Sequence, residues 1–369
     1  MVSSFVRNFD KKSNAYSSSE KFASSCTQQS VTQSQFEKAV SSRVHCIRSS
    51  LKKRGISIKA GEIIFSSWRK STNKQYDLAW RKWAFWCLAR KINPLVISEI
   101  QILEYLSSLH SENYSFSVIN SHKSAIIQTL LTCNKDTNLD QSLIARFMKG
   151  IFNLHPPKPK YIYTWDVNVV LKYLSTLFPL SKLCLQSLTL KVAALLALCS
   201  AQRTQTLIDL DLNHMLDNGD KMIFSLPSLM KTSKPGSHTS PVEFHSFHDK
   251  KLCVVTTIKH YIKITGKTRK STKLLVSFKT HKSISTSTLA RWLKLVLMYS
   301  GINTRMFQAH SFRGASSSAA YKAGVSLESI MKTANWAHAQ TFYKFYLRKT
   351  NNDTHGCFSN AVLSSSSNN

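Results

Sequence analysis

The chain has 369 residues, of which 43% are hydrophobic, so it is long enough to bury the cores of two domains. Its 50 lysines and arginines outnumber its 19 acidic residues and give a formal charge of +31, which predicts a polyanionic partner. No apolar run approaches membrane-spanning length, and the first residues lack the apolar core of a secretory signal. Composition therefore favours nucleic acid over a membrane, with a basic structural protein as the alternative.

The eight cysteines are scattered through the chain, and no two of them have Cys-x-x-Cys spacing. Structural zinc sites use closely spaced ligand pairs, and disulfide-stapled domains are short and rich in cysteine. The sequence therefore predicts free thiols in a reducing compartment and no zinc site.

Residues 1–58 are rich in Ser, Gln and Lys and show little sustained periodicity. Such a composition cannot bury enough apolar surface to order the chain, so we expect a basic, largely disordered arm. The arm could follow DNA, or it could be a solvated leader without a site, and the residues alone favour neither interpretation.

Between residues 59 and 154, apolar residues recur at helical spacing in about four segments, which predicts an all-helical module. In the first segment Trp80 and Trp83 keep to one face, so packing in a core is favoured over base stacking. Ser71 or Thr72 is the expected N-cap of this helix. Basic residues on the other faces can contact DNA phosphates. The predicted DNA contacts of this module are Lys70, Lys74, Arg81, Lys82 and Lys123.

Residues 155–163, HPPKPKYIY, form a predicted linker because proline keeps them out of a helix, and Lys158 and Lys160 are further predicted DNA contacts. Residues 164–350 are interpreted as a second domain, and residues 351–369 as a flexible tail. Helical patterns dominate this domain, apart from one predicted hairpin with a turn at Pro235-Gly236. The predicted fold class is therefore mainly α with a small β-hairpin, an α+β arrangement.

Two basic positions stand out in the first part of this second domain. Arg203 follows a strongly apolar helix, where an arginine is costly unless it is paired or held for an anion. Lys231 and Lys234 lie close to the predicted hairpin turn, and Lys234 is a predicted DNA contact. Hairpin lysines are usually only solvated, and a structural ion pair is an equally good explanation for Arg203.

His310 and Arg313 lie one turn apart on a predicted helix, so their side chains can converge on one anion. The imidazole can move a proton, and the guanidinium can donate two bonds to phosphate oxygens. His45 and Arg48 have the same spacing, so the meaning of the pair depends on its surroundings. Those surroundings include tyrosines on the next helix, whose hydroxyls become nucleophiles when developing charge is neutralised.

The segments SAQRTQTL, HSFRGASSSAA and NWAHAQTFYKFY resemble the catalytic domain of the tyrosine recombinases, the phage-integrase family. The resemblance covers about residues 63–350, and the helical module resembles the core-binding, SAM-like domain of that family. The segments are most similar to recombinases of DIRS-like and Ngaro-like eukaryotic retroelements, with Cryptons more distant, which implies a mobile element and a nuclear location. The residues that match catalytic roles are Arg203, Lys231, His310, Arg313, Trp336 and Tyr346.

The resemblance implies site-specific cleavage and rejoining of duplex DNA, without a metal or nucleotide cofactor, by a homo-tetramer on paired sites. Tyr346 is then the nucleophile that forms a 3′-phosphotyrosine, and the two arginines hold the scissile phosphate. His310 accepts the tyrosine proton, and Lys231 protonates the departing 5′-oxygen. Trp336 packs beside the phosphate and donates its indole N–H.

Two positions depart from the common family pattern. Thr206 stands where many members have an acidic residue that orients the first arginine. The usual spacing from the tryptophan places the nucleophile at Phe345, so Tyr346 requires a one-residue insertion, and Tyr343 is the alternative. On one continuous helix both tyrosines can face the same groove. A type IB topoisomerase-like enzyme and a catalytically silent DNA-binding descendant are the competing functions.

Overall fold

A computed structural model of the protein describes residues 42–134, 138–157, 162–230, 233, 235–236 and 240–350. The chain divides into two compact units, residues 1–158 and 159–369. Six of the cysteines lie in the described residues, and all six are free. None of the described helices is both long and apolar enough to cross a membrane.

The described part of the first unit is helical and has its own hydrophobic core. Trp80 and Trp83 are buried in this core, as their helical spacing predicts, and Ile47 and Leu51 enter it from the first helix. The helices are α1 (Arg43–Lys53), α2 (Ile58–Phe65), α3 (Lys70–Leu88), α4 (Glu99–Ser111), α5 (Phe116–Cys133) and α6 (Gln141–Leu154).

The predicted disordered arm is wrong over its last part, because Arg43–Lys53 is a helix; residues 1–41 lie outside the described residues. Arg43 is buried, and its guanidinium donates to Thr129 Oγ1 at 2.9 Å and to Asn73 Oδ1 at 3.0 Å. Its Nη1 also lies 3.5 Å from a carboxylate oxygen of Asp77. One buried cation thus ties α1 to α3 and α5, a tertiary effect that local composition does not reveal.

The predicted N-cap of α3 is also wrong, because the helix begins at Lys70 and its N-cap residue is Arg69 rather than Ser71 or Thr72. The side-chain amide of Asn73 donates to the carbonyl of Trp68 at 3.4 Å and its oxygen accepts from the guanidinium of the first helix. The helix therefore begins without a side-chain N-cap, and its first turn is held instead to α1 through Asn73.

The second unit is mainly helical and carries a three-stranded antiparallel sheet in the order β1-β2-β3, which confirms the predicted fold class. Two of its strands form the predicted hairpin, and β1 is an additional strand that the sequence did not indicate. The elements are α7 (Val167–Thr176), α8 (Leu185–Ser200), α9 (Thr204–Asp209), β1 (Met215–Asp217), β2 (Lys221–Phe224), β3 (Val242–His245), α10 (Val254–Thr265), α11 (Thr286–Tyr299), α12 (Ser311–Lys322), α13 (Leu327–Ala334) and α14 (Ala339–Phe345).

Helix α8 lies at the centre of this unit, where it packs against α10, α11, α12 and β3. Twelve of its 16 residues are buried, because partners cover the helix on several sides. The helix ends where Ala201 adopts a left-handed conformation with φ of 48°. The chain therefore leaves the core abruptly, two residues before Arg203.

Lys191 places a charge inside this apolar helix. Its side chain is fully buried, and Nζ donates to the carbonyl of Leu177 at 2.6 Å. Burial lowers the pKa of Lys191 to about 8, although the charge of Asp249 opposes the shift. The ammonium form of Lys191 is therefore disfavoured in the folded protein relative to the unfolded chain.

We expect the stability of the wild type to rise between pH 8 and 10.5 relative to Lys191→Met. The folded pKa of Lys191 is about 8, below the unfolded value of about 10.4, so the unfolded chain binds more protons in this range. The expected gain in unfolding free energy is about 1 to 3 kcal/mol. Chemical denaturation at several pH values measures it, with exposed Lys172→Met as control. A pH dependence in Lys191→Met equal to that of wild type contradicts the assignment.

Candidate active site

Arg313 is the most deeply buried cation of the second unit's candidate site, with 1% of its surface exposed. Its Nη1 donates to the carbonyl of Ala201 and its Nη2 to the carbonyl of Ala334, both at 2.6 Å. These carbonyls stand at the C-terminal ends of α8 and α13, where unpaired backbone oxygens and the helix dipole favour a cation. Two helix ends thus hold the guanidinium in place.

The charge of Arg313 is not neutralised by a carboxylate within the described residues. Its guanidinium lies over the rings of Trp336, at 4.6 Å, and Tyr346, at 5.4 Å. Burial, followed by the charge of Arg203, lowers the pKa of Arg313 to about 10, so the group is still charged at neutral pH. Its Nε has no hydrogen-bond acceptor among the described residues. A buried, uncompensated cation of this kind favours binding of an anion.

Tyr346 and His310 form the second half of the site. The Tyr346 hydroxyl lies 3.2 Å from Nε2 of His310, within hydrogen-bond distance. His310 directly precedes α12, and Tyr346 is the first residue after α14, with φ of −121°. Because the helix ends at Phe345, the tyrosine ring turns toward the imidazole and packs against Trp336, with the ring centroids 4.6 Å apart and the ring planes tilted by 33°.

Tyr343 does not share this environment. Its ring is 47% exposed and lies beside Tyr321, at a centroid distance of 6.4 Å. A hydrogen bond with Tyr321 raises the pKa of Tyr343, which opposes formation of a phenolate. The expectation that both tyrosines face one groove assumed a continuous helix, and the end of α14 at Phe345 separates them.

Trp336 is buried, and its ring contacts both the guanidinium of Arg313 and the ring of Tyr346. It follows Asn335, whose left-handed conformation, φ of 53°, turns the chain away from the end of α13. The indole Nε1 is buried and has no acceptor among the described residues. Since buried donors are almost always paired, this N–H and the Nε of Arg313 are available to a ligand.

Arg203 lines an open cleft together with His310 and Arg313. The same cleft is lined by Arg291 and Lys294 of α11, which are exposed and which the sequence did not indicate. The apolar spacing of α11 identifies these two residues as its polar face, but it does not show what that face is directed toward. The cationic lining repels metal ions and attracts phosphate, and no described group of three His, Cys, Asp or Glu side chains is placed to hold a metal.

The predicted DNA contacts that the structure describes lie on two helices of the first unit. Lys70, Lys74 and Arg81 are exposed on α3, and Lys82 is exposed with its Nζ donating to the hydroxyl of Tyr114 at 2.7 Å. Lys123, on α5, is half-buried. The residues outside the described part of the chain are the predicted catalytic Lys231 and the predicted DNA contacts Lys158, Lys160 and Lys234.

Residues 170–353 match the model of the phage integrase family, and this range contains every predicted catalytic residue. The chain belongs to the phage integrase family, the tyrosine recombinases. Membership confirms the family resemblance seen in the sequence and the prediction that the protein is an enzyme. The particular affinity to DIRS-like and Ngaro-like elements stays a prediction. No curated protein matches the sequence.

Solved structures of other tyrosine recombinases share this fold. The XerH site-specific recombinase in its post-cleavage complex with palindromic difH substrate has a TM-score of 0.55 at 13% identity, over 80% of this chain and 78% of that one. The Tn1549 transposon integrase with transposon right end DNA has a TM-score of 0.55 at 12% identity, covering 88% and 99%. A lambda integrase dimer on its core site has a TM-score of 0.52 at 15% identity, covering 84% and 97%.

We expect inorganic phosphate to stabilise this integrase against thermal unfolding, because cations and no acidic residues are among the described residues that line the cleft. At about ten times its dissociation constant, phosphate should add about 1.4 kcal/mol of stability. Arg203→Ala and Lys294→Ala should each reduce that gain, whereas Lys263→Ala, on an exposed part of α10 outside the cleft, should retain it. Sodium chloride at equal ionic strength is the control, and undiminished stabilisation of Arg203→Ala contradicts the phosphate site.

Proposed function

We propose that the chain is a site-specific DNA recombinase that cleaves and rejoins duplex DNA through a 3′-phosphotyrosine at Tyr346. The observation that carries the proposal is the contact of the Tyr346 hydroxyl with Nε2 of His310, at 3.2 Å, beside the buried Arg313. A nucleophile, a base and a cation for the developing charge are the groups that phosphoryl transfer to a hydroxyl requires.

In the proposed cleavage step, Tyr346 Oη attacks the scissile phosphorus and its proton passes to Nε2 of His310. The bond from phosphorus to the 5′-oxygen breaks as the new bond to tyrosine forms. Both arginines and the indole N–H of Trp336 donate to the non-bridging oxygens in the transition state. We assign protonation of the 5′-oxygen to Lys231. Attack by a 5′-hydroxyl on the phosphotyrosine reverses these steps and rejoins a strand without an external energy source.

Duplex DNA is the proposed partner. The formal charge of +31 and the exposed lysines of α3 favour a polyanion, and the Tn1549 transposon integrase that shares the fold was solved in complex with transposon right end DNA. We further propose a homo-tetramer on paired sites, a nuclear location and integration of a mobile element. These three proposals rest on the sequence motifs and their similarity to eukaryotic retroelement recombinases.

The two competing functions make different predictions. A silent descendant would bind DNA without forming an adduct. The contacts of Tyr346 with His310 and Arg313 argue against this function, because all three side chains are chemically competent. A type IB topoisomerase-like enzyme would form the adduct at many sequences and relax supercoils. A recombinase should form it at defined sites and exchange strands between two of them.

We expect Tyr346→Phe to abolish the covalent protein–DNA adduct on nicked duplex substrates, because it removes the attacking oxygen and leaves the ring in place. Tyr343→Phe is the matched control and should form the adduct, since Tyr343 is exposed and contacts Tyr321 instead of the imidazole. Denaturing gels in excess EDTA measure the adduct, and peptide mapping locates it. An adduct on Tyr343 reverses the assignment of the nucleophile, and cleavage that leaves no adduct and stops in EDTA indicates a metal nuclease.

A further inference from the structure

Ser318 connects the helix that carries the catalytic groups to the backbone of the nucleophile. The residue is fully buried on α12, five positions after Arg313. Its Oγ donates to the carbonyl of Tyr346 at 2.8 Å and accepts from the backbone N–H of Arg348 at 3.1 Å. A single hydroxyl thus bridges two backbone groups on either side of Leu347.

Other hydrogen bonds hold the amide side of Tyr346. Helix α14 has ended, and the backbone N–H groups of Tyr346 and Leu347 both donate to the carbonyl of Phe342 at 2.8 Å. Those bonds fix the amide side of the nucleophile. Within the described residues, the hydrogen bond recorded for the carbonyl of Tyr346 comes from Ser318. The side chain of Ser318 therefore holds the carbonyl side of the nucleophile.

Helix α12 carries the base as well as this support. His310 immediately precedes the helix, Arg313 lies in its first turn and Ser318 lies about two turns from His310, or about 12 Å along the axis. Because an α-helix is rigid over this length, the position of Tyr346 is set relative to His310 by the helix that carries Ser318. The 3.2 Å separation of hydroxyl and imidazole follows from that arrangement.

The start of the second unit reinforces both ends of the arrangement. Thr164 donates its backbone N–H to the carbonyl of Lys349 at 2.9 Å, which holds the segment after the nucleophile. The indole of Trp165 donates to Ser311 Oγ at 2.8 Å, next to His310. The backbone beyond Tyr346 and the start of α12 are thus fastened to two consecutive residues.

We propose that Ser318 is a positioning residue that sets the reacting geometry of Tyr346 against His310; the role rests on the proposed function. A single neutral hydrogen bond contributes only modestly to the stability of a folded protein. A misplacement of about 1 Å can lower a rate about 100-fold. Loss of the hydroxyl should therefore affect cleavage far more than folding.

Ser317 provides a matched control. It is equally buried on the same helix, but its Oγ donates to the carbonyl of Arg313 at 2.7 Å, inside α12. Ser317→Ala therefore removes a buried hydroxyl without touching the nucleophile segment. Comparison with Ser318→Ala separates a positioning role from the general effect of deleting a buried serine oxygen.

The experiment measures single-turnover adduct formation on pre-bound nicked duplex for wild type, Ser317→Ala and Ser318→Ala. We expect Ser318→Ala to be about 10- to 100-fold slower, with DNA affinity and melting temperature like those of Ser317→Ala. Its rate should also keep rising with pH after the wild-type rate levels off, because hydroxide must replace the displaced imidazole as base. Ser318→Thr, which keeps the hydroxyl, should recover much of the rate. If Ser318→Ala does not fold, Ser318→Cys takes its place in the comparison with wild type and Ser317→Ala.

The outcomes are distinguishable. A wild-type adduct together with equal rates and equal pH profiles for the two alanine variants overturns the role of Ser318 and leaves the proposed function intact. Failure of the wild type to form any adduct overturns the proposed function, and with it the positioning role.

Discussion

The catalytic unit depends on how it accommodates one buried guanidinium. Arg313 has 1% exposure and no carboxylate partner within the described residues, a situation that is costly for a charged group. The carbonyls of Ala201 and Ala334 and the faces of two aromatic rings stabilise the charge without neutralising it. The site therefore keeps a net positive field, with Nε unpaired, at the place where a phosphate would gain negative charge.

The same two helix ends deliver two further residues to the site. Helix α8 ends at Ala201 in a left-handed conformation, and Arg203 follows two residues later. Helix α13 ends at Ala334, a left-handed Asn335 turns the chain, and Trp336 lies two residues after the carbonyl that binds the arginine. Each turn thus exposes a carbonyl to the guanidinium and redirects the chain toward it. This repeated geometry explains how residues more than 130 positions apart meet at one cation.

Much of the architecture follows from the sequence because it depends on periodicity. The helical module, the apolar α8 and the hairpin strands all bury residues at the spacing that the pattern predicts. The order of the predicted catalytic residues was likewise sufficient to nominate Arg203, His310, Arg313 and Trp336, which the structure brings together.

Other features depend on contacts between distant segments. Helix α1 appears disordered by composition, yet the buried Arg43 fastens it to α3 and α5. Helical geometry treats Tyr343 and Tyr346 alike, and the end of α14 is what separates them. In the sequence, Arg291 and Lys294 indicate only the polar face of a helix. The packing of α11 is what places that face on the cleft. In each case the position of the residue depends on a tertiary contact or on where a helix ends. Neither is visible in the periodicity of the sequence.

We propose that Arg313 acts by placing positive charge against the non-bridging oxygens of a DNA phosphate. The most direct test is cleavage by Arg313→Ala of nicked duplexes that carry either a phosphate or an uncharged methylphosphonate at the scissile position. The account predicts that Arg313→Ala is inactive on the phosphate and regains adduct formation on the methylphosphonate, because the charge that the guanidinium balances has been removed. Equal activity of Arg313→Ala and wild type on the ordinary phosphate, or no recovery on the methylphosphonate in a variant that folds and binds DNA, would contradict it.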